Sequence, residues 1–487
     1  MEVSNSTTSL VGYDHLVANV DNPEPQAEMP TLYNNGDKYV IALVGLPATG
    51  KTYLARRLSQ YLQFFHGSDT KVFNVGNYRR KLVGAKSPHT FFDPSNEEFV
   101  KLRDQCAQEA MDDLIKWLEG SDFRSRVAIY DATNTTRQRR TWICDQLKTS
   151  LESVHKVIFV ESVIRNEELV EGNVRETKLS MPDYEGMDPD EAVTDFMQRI
   201  EHYRSAYEPI TEENSEDRSL SWIKMIDAGR SISMNHISGF LPGRIVQFLM
   251  NLHTTPRTIY LSRHGQSQYN VLGKIGGDSQ LSESGEQYAK ELAKFVHTEI
   301  LGLDEDGNFK DPENRVVPHA RLFTSSLRRT QLTARHIVHH KCDDGWIVMR
   351  PRICSSLSEI HAGAFDGFTY KEIEEKAPEE FKRRSDDKLG YRYPRGESYL
   401  DVIARLDPII HEVERQRDPI LIVGHQGILR IIYAYFVGDT RENAPFVSIP
   451  LNTVIKLTPR TYSCDVERFS LNKGHSASDG DHEPPSH

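Results

Sequence analysis

Short apolar runs alternate with stretches of helical spacing along most of this 487-residue chain. Lys38–Leu46 is apolar and rich in β-branched residues, and after it Leu54, Leu58 and Leu62 recur at helical spacing. A strand followed by a helix is therefore predicted here. The same patterns predict further buried strands at Val72–Val75, Val127–Tyr130 and Val157–Val160. They also predict one long amphipathic helix at Phe99–Leu118. Alternating strands and helices indicate an α/β fold with a parallel sheet covered on both faces.

The pattern begins again near residue 257. Thr258–Leu261 and Ile420–Val423 are short apolar runs, and each leads into a Gly- and His-containing turn. A chain of this length is too long for one core, so two domains are expected, over residues 37–253 and 254–462. Residues 1–36 and 463–487 are polar and without periodicity, which is typical of disordered tails. Residues 303–319 are acidic and turn-rich, and we expect an exposed insertion there.

Composition excludes several classes of protein. The chain is 38% hydrophobic and 27% charged, as in globular proteins, and no apolar run reaches the ~18–20 residues of a membrane span. The first ten residues lack the pattern of a secretory signal. Five scattered cysteines without a Cys-x-x-Cys pair favour reduced thiols and a cytoplasmic location. A net charge of −12 disfavours a nucleic-acid partner.

Gly45–Thr52 reads Gly-Leu-Pro-Ala-Thr-Gly-Lys-Thr and fits the loop that holds a nucleoside triphosphate. It lies between a predicted strand and a predicted helix, which is the context this motif requires. Gly45 and Gly50 permit a close approach of the backbone to phosphate. Lys51 is expected to reach the β- and γ-phosphates, and the Thr52 hydroxyl to bind Mg²⁺. The sequence therefore predicts a site for ATP and Mg²⁺.

Asp131 ends the predicted strand Val127–Tyr130, where a metal-binding carboxylate or a general base is expected. An aspartate at a strand end is often only a turn former, so this prediction depends on Lys51. Two segments dense in phosphate donors, Asn77–Lys81 and Asn134–Arg140, stand out in an acidic chain. Arginine forks suit phosphate, and these segments favour an anionic substrate over a merely solvated face.

A second phosphate chemistry is predicted in the other half of the chain. His264 follows a strand in the sequence Ser-Arg-His-Gly-Gln-Ser, and His425 follows another strand in Gly-His-Gln-Gly. A neutral histidine flanked by arginines can accept a phosphoryl group, and a carboxylic acid must then protonate the leaving oxygen. Each residue alone is a weak signal, but together they indicate a phosphohistidine phosphatase. The candidates that complete this site are Arg263, Asn270, the arginines of Thr324–Thr330, and Glu359.

Over about residues 38–462 the chain resembles the bifunctional 6-phosphofructo-2-kinase/fructose-2,6-bisphosphatase family. The resemblance extends well beyond the two motifs. The segments that carry it are Lys71–Arg80, Asp131–Arg137, Ser180–Tyr184, Pro256–Leu261, Ile275–Ser279 and Tyr391–Pro394.

The resemblance implies an N-terminal P-loop kinase domain with a mostly parallel sheet. It also implies a C-terminal histidine-phosphatase α/β domain that is phosphoglycerate-mutase-like. The kinase would transfer the γ-phosphoryl group of ATP to O2 of fructose 6-phosphate, and the phosphatase would remove it through a phosphohistidine. A cytoplasmic homodimer joined through the kinase domains is implied, with no nucleic-acid or membrane partner.

The family's functional residues carry over to positions of this chain. In the kinase half, Asp131 would be the catalytic carboxylate, and Tyr53 and Asn173 to Lys178 would lie near ATP. Sugar-phosphate contacts are implied at Arg79, Arg103, Thr133, Arg139, Lys178, Arg199 and Tyr203. In the phosphatase half, His264 would be the nucleophile, Glu359 the acid and His425 the second histidine. The bisphosphate would be held by Arg263, Asn270, Gly276, Arg329, Tyr370, Arg384, Lys388, Tyr399, Gln426 and Arg430.

Three positions depart from the family pattern. Thr49 stands where the family loop usually has arginine, and Ile164 stands where a cysteine lines the kinase site. Both departures put kinase turnover in question. Gln266 replaces a glutamate beside the nucleophile, and the loss of that charge is expected to change the pH dependence of the phosphatase.

Four functions fit the motifs to different degrees. The leading hypothesis is an enzyme that both makes and hydrolyses fructose 2,6-bisphosphate. The second is an active phosphatase with a weak, nucleotide-sensing kinase domain, which Lys51 and Asp131 argue against. A polynucleotide kinase/phosphatase is opposed by the acidic net charge and by the histidine chemistry. A non-catalytic interaction protein is disfavoured because both halves keep complete sets of catalytic residues.

Overall fold

Two six-stranded sheets, each covered by helices, make up the described part of the computed structural model. That part comprises residues 36–120, 124–150, 154–177, 182–253, 257–304, 317–342, 344–460 and 463–471. Nearly all of both predicted tails and most of the predicted 303–319 insertion lie outside it. So does Lys178.

The first sheet has the strand order β2-β3-β1-β4-β5-β6, and only β6 runs antiparallel to its neighbour. Its strands are β1 (Lys38–Val44), β2 (Asp69–Asn74), β3 (Arg126–Asp131), β4 (Val154–Val163), β5 (Ser221–Ile226) and β6 (Ser231–Asn235). Its helices are α1 (Lys51–His66), α2 (Val75–Val83), α3 (Glu97–Leu118), α4 (Arg137–Ser150), α5 (Glu167–Thr177), α6 (Pro189–Ser205), α7 (Ser215–Arg218) and α8 (Phe240–Asn251).

The second sheet has the order β12-β11-β7-β10-β8-β9, with β11 and β12 antiparallel. Its strands are β7 (Ile259–Arg263), β8 (Arg321–Thr324), β9 (Pro351–Ile353), β10 (Ile420–Gly424), β11 (Thr453–Pro459) and β12 (Cys464–Ser470). Its helices are α9 (Gln268–Val271), α10 (Glu283–Phe295), α11 (Arg328–Ala334), α12 (Tyr370–Lys376), α13 (Pro378–Asp386), α14 (Tyr399–Arg415) and α15 (Gln426–Val437). Parallel central strands bring the ends of β7, β8 and β10 to one edge.

The predicted strands and the long helix are confirmed, with shifted ends. The strand expected at Val72–Val75 begins earlier, at Asp69, and Val75 already belongs to α2. The helix expected from Phe99 begins at Glu97, because the Asn96 side chain accepts a hydrogen bond from the Phe99 amide and caps the helix.

Two predictions about the phosphatase half need correction. The sheet continues past residue 462, because β12 pairs with β11 along its whole length. Its exposed, polar face gave no strand signal in the sequence. Leu303, the first residue of the predicted exposed insertion, is only 3% exposed and packs in a core with Leu301 and Ile300.

Helix α1 connects the nucleotide loop to the second domain. The cluster of buried side chains on one face of the first sheet includes Leu58, Tyr61 and Leu62 of α1 and continues into residues of α14 and α15. The Tyr61 ring stacks on Phe248 of α8 at 4.3 Å, and its hydroxyl donates to Asp407 Oδ1 of α14 at 2.9 Å. The two domains therefore share one hydrophobic core.

Glu414 is a buried carboxylate at this interface. It pairs with Arg57 of α1 and with Arg257, which precedes β7, and it accepts a hydrogen bond from the Tyr435 hydroxyl at 2.8 Å. Burial by itself would raise the pKa of Glu414, but Arg57 and Arg257 outweigh it and lower the pKa to about 2. The carboxylate is therefore charged and saturated with donors between the domains.

Replacing Glu414 with glutamine should lower the free energy of unfolding by about 3–5 kcal/mol, because two buried guanidinium groups lose their counter-charge. Guanidinium chloride unfolding at neutral pH measures this. The ion pairs stabilise the wild type above the unfolded-state pKa of about 4.5, and this contribution disappears as the pH falls towards 2. Glu412→Gln, on the same helix but partly exposed, should cost under about 1 kcal/mol. Equal losses in the two variants would contradict the prediction.

None of the helices in the described ranges is long and apolar enough to cross a lipid bilayer.

Candidate active sites

The nucleotide loop joins β1 to α1, as the motif predicted. Gly45 has φ +134°, and a Cβ there would lie 2.4 Å from the Ser162 carbonyl oxygen, so only glycine fits against β4. Gly50 caps α1 with φ +85°. The loop therefore leads directly into the amino end of α1, and a Gly-rich loop at a helix amino end is an arrangement that binds phosphate.

Lys51, Thr52 and Asp131 meet below this loop. The Thr52 hydroxyl donates to Asp131 Oδ2 at 2.9 Å, and Asn74 Nδ2 donates to the same oxygen. Lys51 Nζ donates to the Leu46 carbonyl of the loop itself. The strand order explains the contacts of Asp131. Its strand, β3, lies between β1, which leads into the loop, and β2, which ends at Asn74. Two residues 79 positions apart thus form one cluster of oxygen ligands.

A cavity of about 880 Å³ opens from this cluster across the carboxyl edge of the first sheet. It brings together nearly all the predicted kinase residues in the described ranges. Those lining it are Gly50, Lys51, Thr52, Tyr53, Arg79, Arg103, Asp131, Thr133, Arg139, Asn173, Arg199 and Tyr203. Gly45 lies behind the loop and does not line the cavity.

Two arginines flank a phenylalanine in the cavity wall. The guanidinium groups of Arg79 and Arg199 lie 5.4 and 3.7 Å from the centre of the Phe92 ring. Asp183 pairs with Arg79, and burial together with neighbouring Arg199 lowers the pKa of Arg79. Within the described residues, Arg79 Nε and Nη1 and Arg199 Nε have no hydrogen-bond partner. Buried donors of this kind suit a phosphate dianion.

The remaining predicted kinase residues have structural partners. Arg103 Nη1 donates to the Phe91 carbonyl at 2.6 Å, and the Tyr203 ring packs on Phe92 with 5.8 Å between ring centres. Arg139 pairs with Asp104 across the cavity mouth.

Asn173 and Tyr53 hold the loop and its helix. Asn173 Nδ2 donates to the Ala48 carbonyl of the nucleotide loop at 3.0 Å. Tyr53 is buried, and its hydroxyl donates to the His253 carbonyl at 3.1 Å. The structure therefore places Tyr53 at the domain boundary as well as on the cavity wall.

In the second domain, β7 and β10 carry the two histidines to one point. His264 follows β7, His425 follows β10, and their ring centres lie 5.2 Å apart. The His264 amide also donates to the Gly424 carbonyl at 2.9 Å. Both rings are buried, with exposures of 4% and 0%.

Hydrogen bonds fix the tautomers of both rings. His264 Nδ1 lies 2.8 Å from the Gly265 carbonyl, which can only accept, so Nδ1 carries the proton and Nε2 keeps its lone pair. Arg329 Nε donates to His425 Nδ1 at 3.2 Å, and His425 Nε2 lies 2.7 Å from Ser325 Oγ. His264 thus offers an unprotonated Nε2, which is what a nucleophile requires.

Burial and arginine charge keep both imidazoles neutral. Burial lowers the pKa of His264 well below 6.5, and Arg329 and Arg263 lower it further. His425 is affected in the same way, first by burial and then by Arg329. A phosphoryl anion in this position would meet positive charge on two sides.

Arg263 and Arg329 lie close enough to His264 to lower its pKa, and Asn270 lies at the start of α9. Arg263 Nη1 donates to the Ile449 carbonyl at 2.9 Å, and Arg329 Nη1 donates to the Gly277 carbonyl at 2.6 Å. The Asn270 side-chain oxygen closes a capping box with Ser267, which leaves its amide nitrogen as a donor.

Glu359 lies beside the turn that carries His425. Its carboxylate accepts from the amides of Ile360 at 3.0 Å and Gly427 at 3.3 Å. A Cβ on Gly427 would lie 2.7 Å from Glu359 Oε1 and 3.6 Å from the Tyr399 hydroxyl. Gly427 is therefore required for the carboxyl group and Tyr399 to approach the site.

The predicted sugar-binding residues fall into small contacting groups. Arg430 Nη1 donates to the Tyr399 hydroxyl at 3.3 Å. Arg384 donates to the Tyr370 hydroxyl at 3.0 Å and lies over that ring. Gly276 packs against Asp366, and Lys388 lies over the Phe446 ring. Gln426 is the first residue of α15.

The three departures take structural roles. Thr49 donates to the Leu46 carbonyl at 2.9 Å and so stays within the loop framework. Ile164 packs against the apolar cluster that contains Ala48. Gln266 Oε1 accepts from the Ser282 hydroxyl at 2.8 Å.

Several site residues were missed by sequence reasoning. Asn74 and Asp183 orient Asp131 and Arg79, and Ser325 holds His425. Asn74 could have been found, because it ends the strand beside Asp131. Asp183 lies in a segment that carries the family resemblance, and Ser325 lies in Thr324–Thr330, which stands out for its arginines. The contacts of both residues depend on the tertiary fold.

Comparison with known proteins identifies the family of each domain. The family model for 6-phosphofructo-2-kinase matches residues 27–256, and that for the histidine phosphatase superfamily (branch 1) matches residues 259–472. A 6-phosphofructo-2-kinase/fructose-2,6-bisphosphatase from Gallus gallus is 43% identical over 434 residues, covering 89% of this chain and 85% of its own length.

Two mammalian relatives are similar to the same degree. The 6-phosphofructo-2-kinase/fructose-2,6-bisphosphatase 4 of Homo sapiens is 43% identical over 89% of this chain and 85% of its own length. The isoform 3 enzyme of Rattus norvegicus is 43% identical over 92% of this chain and 74% of its own. With two α/β domains that each match a family model, the chain belongs to the family of bifunctional 6-phosphofructo-2-kinase/fructose-2,6-bisphosphatases, which both synthesise and hydrolyse fructose 2,6-bisphosphate.

Proposed function

We propose that ATP is the phosphoryl donor and that its phosphates bind over the loop between Gly45 and Gly50. The observation that carries this proposal is the Thr52–Asp131 contact beneath that loop, at the amino end of α1. Lys51 neutralises charge on the β- and γ-phosphates, and the dipole of α1 adds to it. Tyr53 and Asn173 hold the loop in place.

The donor set suits Mg²⁺. Thr52 supplies a hydroxyl oxygen and Asp131 a carboxylate oxygen, and Mg²⁺ prefers a small number of such hard ligands beside substrate phosphates. A magnesium ion held there supplies positive charge that offsets the charge of the transferred phosphoryl group.

Fructose 6-phosphate then binds in the same cavity with its 6-phosphate between Arg79 and Arg199. Their buried donors without partners in the described residues support this placement. Arg103, Thr133, Arg139 and Tyr203 line the rest of the cavity, and Lys178 is proposed to complete it. Held in this way, the sugar presents O2 to the γ-phosphorus, and Asp131 orients that hydroxyl for in-line transfer.

In the second domain His264 is the proposed nucleophile. Its Nε2 lone pair forms a bond to the phosphorus of the 2-phosphate while the bond from phosphorus to O2 breaks. Glu359 gives its proton to the departing O2. Arg263, Arg329 and Asn270 donate to the phosphoryl oxygens. His425 donates as well once its Nε2–H group turns away from Ser325 Oγ, which it contacts at 2.7 Å. Water then attacks the phosphohistidine, returns a proton to Glu359 and releases phosphate.

The rest of the bisphosphate is proposed to lie against the contacting groups already described. Donors of the Arg, Lys, Tyr and Gln type suit a polyhydroxyl anion, and Gly276 allows a close backbone contact. The set consists of Gly276, Tyr370, Arg384, Lys388, Tyr399, Gln426 and Arg430.

The two assigned sites can be tested together by incubating the protein with [γ-³²P]ATP, Mg²⁺ and fructose 6-phosphate. Label should enter acid-labile sugar phosphate and appear transiently on the protein. If label never reached the sugar, but fructose 2,6-bisphosphate labelled at the 2-phosphate still labelled His264, the kinase assignments would be wrong and the nucleotide-sensing alternative would be supported.

The pH dependence of phosphohistidine formation should show no protonation of His264 near neutrality. Because the pKa of His264 lies well below 6.5, its Nε2 is unprotonated throughout the neutral range. Rapid-quench measurement of protein labelling should therefore place the acid limb due to the nucleophile well below the ordinary histidine pKa of about 6.5. In Gln266→Glu, a nearby carboxylate stabilises the imidazolium, so that limb should move to higher pH. A wild-type limb centred at or above about 6.5 would contradict the prediction.

A cytoplasmic homodimer that pairs through the kinase domains is also proposed. β6 forms one edge of the first sheet, and its Met234 is 49% exposed. An edge strand with an exposed apolar side chain is prone to pair with a second copy. Light scattering should give a dimer mass for the wild type and a shift towards monomer for Met234→Lys. A dimer of unchanged stability would exclude this edge as the interface.

A further inference from the structure

A group of metal-ligating side chains lies in the second domain, apart from both active sites. The ligand atoms of His319, Cys342 and Asp344 lie within 4.8 Å of one another. His319 stands two residues before β8, while Ser325, next to His425, follows the other end of that strand. A four-residue strand spans roughly 13 Å, so this group lies at the opposite edge of the sheet from the catalytic histidines.

A tight turn presents Cys342 and Asp344. The Cys342 amide donates to the Trp346 carbonyl at 2.8 Å, and the Gly345 amide donates to the Cys342 carbonyl at 2.9 Å. Gly345 has φ +84°, which closes the turn. The turn is therefore held by its own backbone hydrogen bonds.

The chain after this turn anchors it beside His319. The Met349 amide donates to the Ala320 carbonyl at 3.1 Å. Val348, Met349 and Ala320 are fully buried. The two segments that carry the candidate ligands are therefore joined to each other by a backbone hydrogen bond within the packed core.

The Asp344 carboxylate is already oriented towards His319. Its Oδ1 accepts from the Trp346 amide at 2.9 Å, and its Oδ2 lies 3.2 Å from His319 Nε2. An outer hydrogen bond of this kind commonly orients a metal-binding carboxylate.

We propose that His319, Cys342 and Asp344 bind a zinc ion, with water as the fourth ligand. A sulfur, an imidazole nitrogen and a carboxylate oxygen form a set that zinc prefers. Tetrahedral bonds of about 2.0–2.3 Å would hold the ligand atoms about 3.4–3.6 Å apart, so side-chain rotation must close the observed spread by about 1 Å. The thiol loses its proton to water as the Zn–S bond forms.

The ligands must supply the negative charge for a divalent cation. The guanidinium groups of Arg321 and Arg352 lie 4.6 and 5.9 Å from the centre of the Trp346 ring, and their positive charge opposes a cation there. The thiolate and the carboxylate together offset the two charges of zinc. The ion would then tie Cys342 and Asp344 to the chain entering β8.

Cobalt(II) absorbance provides the test, since tetrahedral cobalt bound by thiolate gives a near-ultraviolet charge-transfer band and strong visible bands. The full chain, without a histidine tag and after treatment with chelator, should bind one equivalent of Co²⁺ with both signals, and Zn²⁺ should displace it. Metal bound by oxygen ligands at Thr52 and Asp131 gives no thiolate band, so the two sites are distinguished. Absence of the thiolate band would overturn the proposal.

Variants assign the ligands. Cys342→Ser should abolish the thiolate band, and His319→Ala should weaken binding at least about tenfold. The matched controls Cys464→Ser and His339→Ala should leave the titration unchanged. A band that persisted in Cys342→Ser, or that disappeared in Cys464→Ser, would refute the assignment.

Trp346 supplies a second measurement that does not depend on the thiolate band. Its ring centre lies 5.7 Å from that of His319, so Co²⁺ bound there should quench its fluorescence. The quenching should saturate at one equivalent and be absent in Trp346→Phe, which should still show the absorbance bands. Quenching that Trp346→Phe retained would place the metal elsewhere.

Discussion

Replacing His264 with alanine should lower phosphatase activity by about 10³-fold or more and leave the kinase rate unchanged. The substitution removes the Nε2 atom that is proposed to form the covalent bond. His425 offers no equivalent, because its Nδ1 accepts from Arg329 and its Nε2 contacts Ser325. Phosphate release from fructose 2,6-bisphosphate measures the first effect, and synthesis from ATP and fructose 6-phosphate measures the second.

A control variant distinguishes loss of the nucleophile from loss of folding. His339→Ala changes an exposed histidine of the same domain and should leave both rates as in the wild type. Retained kinase activity in His264→Ala shows that the shared core is intact, because α1 packs against α14 and α15. If His264→Ala silenced both activities while remaining folded, the two-site model would be wrong.

Replacing Lys51 with methionine should lower kinase activity by about 10²–10³-fold while phosphatase activity remains. Methionine keeps the length of the side chain but removes the ammonium group that neutralises the β- and γ-phosphates. The buried position of Lys51, at 8% exposure, strengthens that electrostatic effect. Coupled assays with saturating fructose 6-phosphate measure it.

A matched variant controls for charge alone. Lys101→Met removes an exposed ammonium group from α3 in the same domain and should leave the kinase rate within about twofold. A Lys51→Met enzyme that kept wild-type kinase turnover would show that the loop binds nucleotide without contributing to catalysis, and would contradict the proposed mechanism.

The shared core connects the two active sites through helices α1 and α14. Helix α1 begins with Lys51 and Thr52 and ends among residues that pack on the phosphatase domain, where Arg57 meets Glu414. On the other side, α14 begins at Tyr399 and carries Glu414 near its end. Helices α1 and α14 thus each begin at the active site of their own domain and pack against the other domain. Loss of Glu414 should lower stability without removing any catalytic group.

The sequence could predict local elements because their signals are local. Apolar runs marked the buried strands, and the glycines of the nucleotide loop marked its backbone geometry. β12 escaped detection because most of its residues are exposed, so alternation of apolar and polar positions is weak. The second domain therefore extends beyond the predicted boundary at residue 462, to the end of β12.

Contacts between distant residues could not be read in the same way. Asp183 pairs with Arg79 across 104 positions, and Ser325 reaches His425 across 100. No periodicity or motif spacing encodes such pairs. They follow from the order of strands in the sheet and from the positions where the intervening loops return.

By itself, the sequence determined the two α/β domains, the nucleotide loop and the histidine motifs, because these depend on residue type at short spacing. Only the tertiary structure decided the rest. Parallel strands brought Thr52 to Asp131 and His264 to His425. Burial beside Arg329 then lowered the pKa of both histidines, and hydrogen bonds selected their tautomers. The electrostatic state of a side chain depends on its neighbours in space, and the fold alone assembles those neighbours.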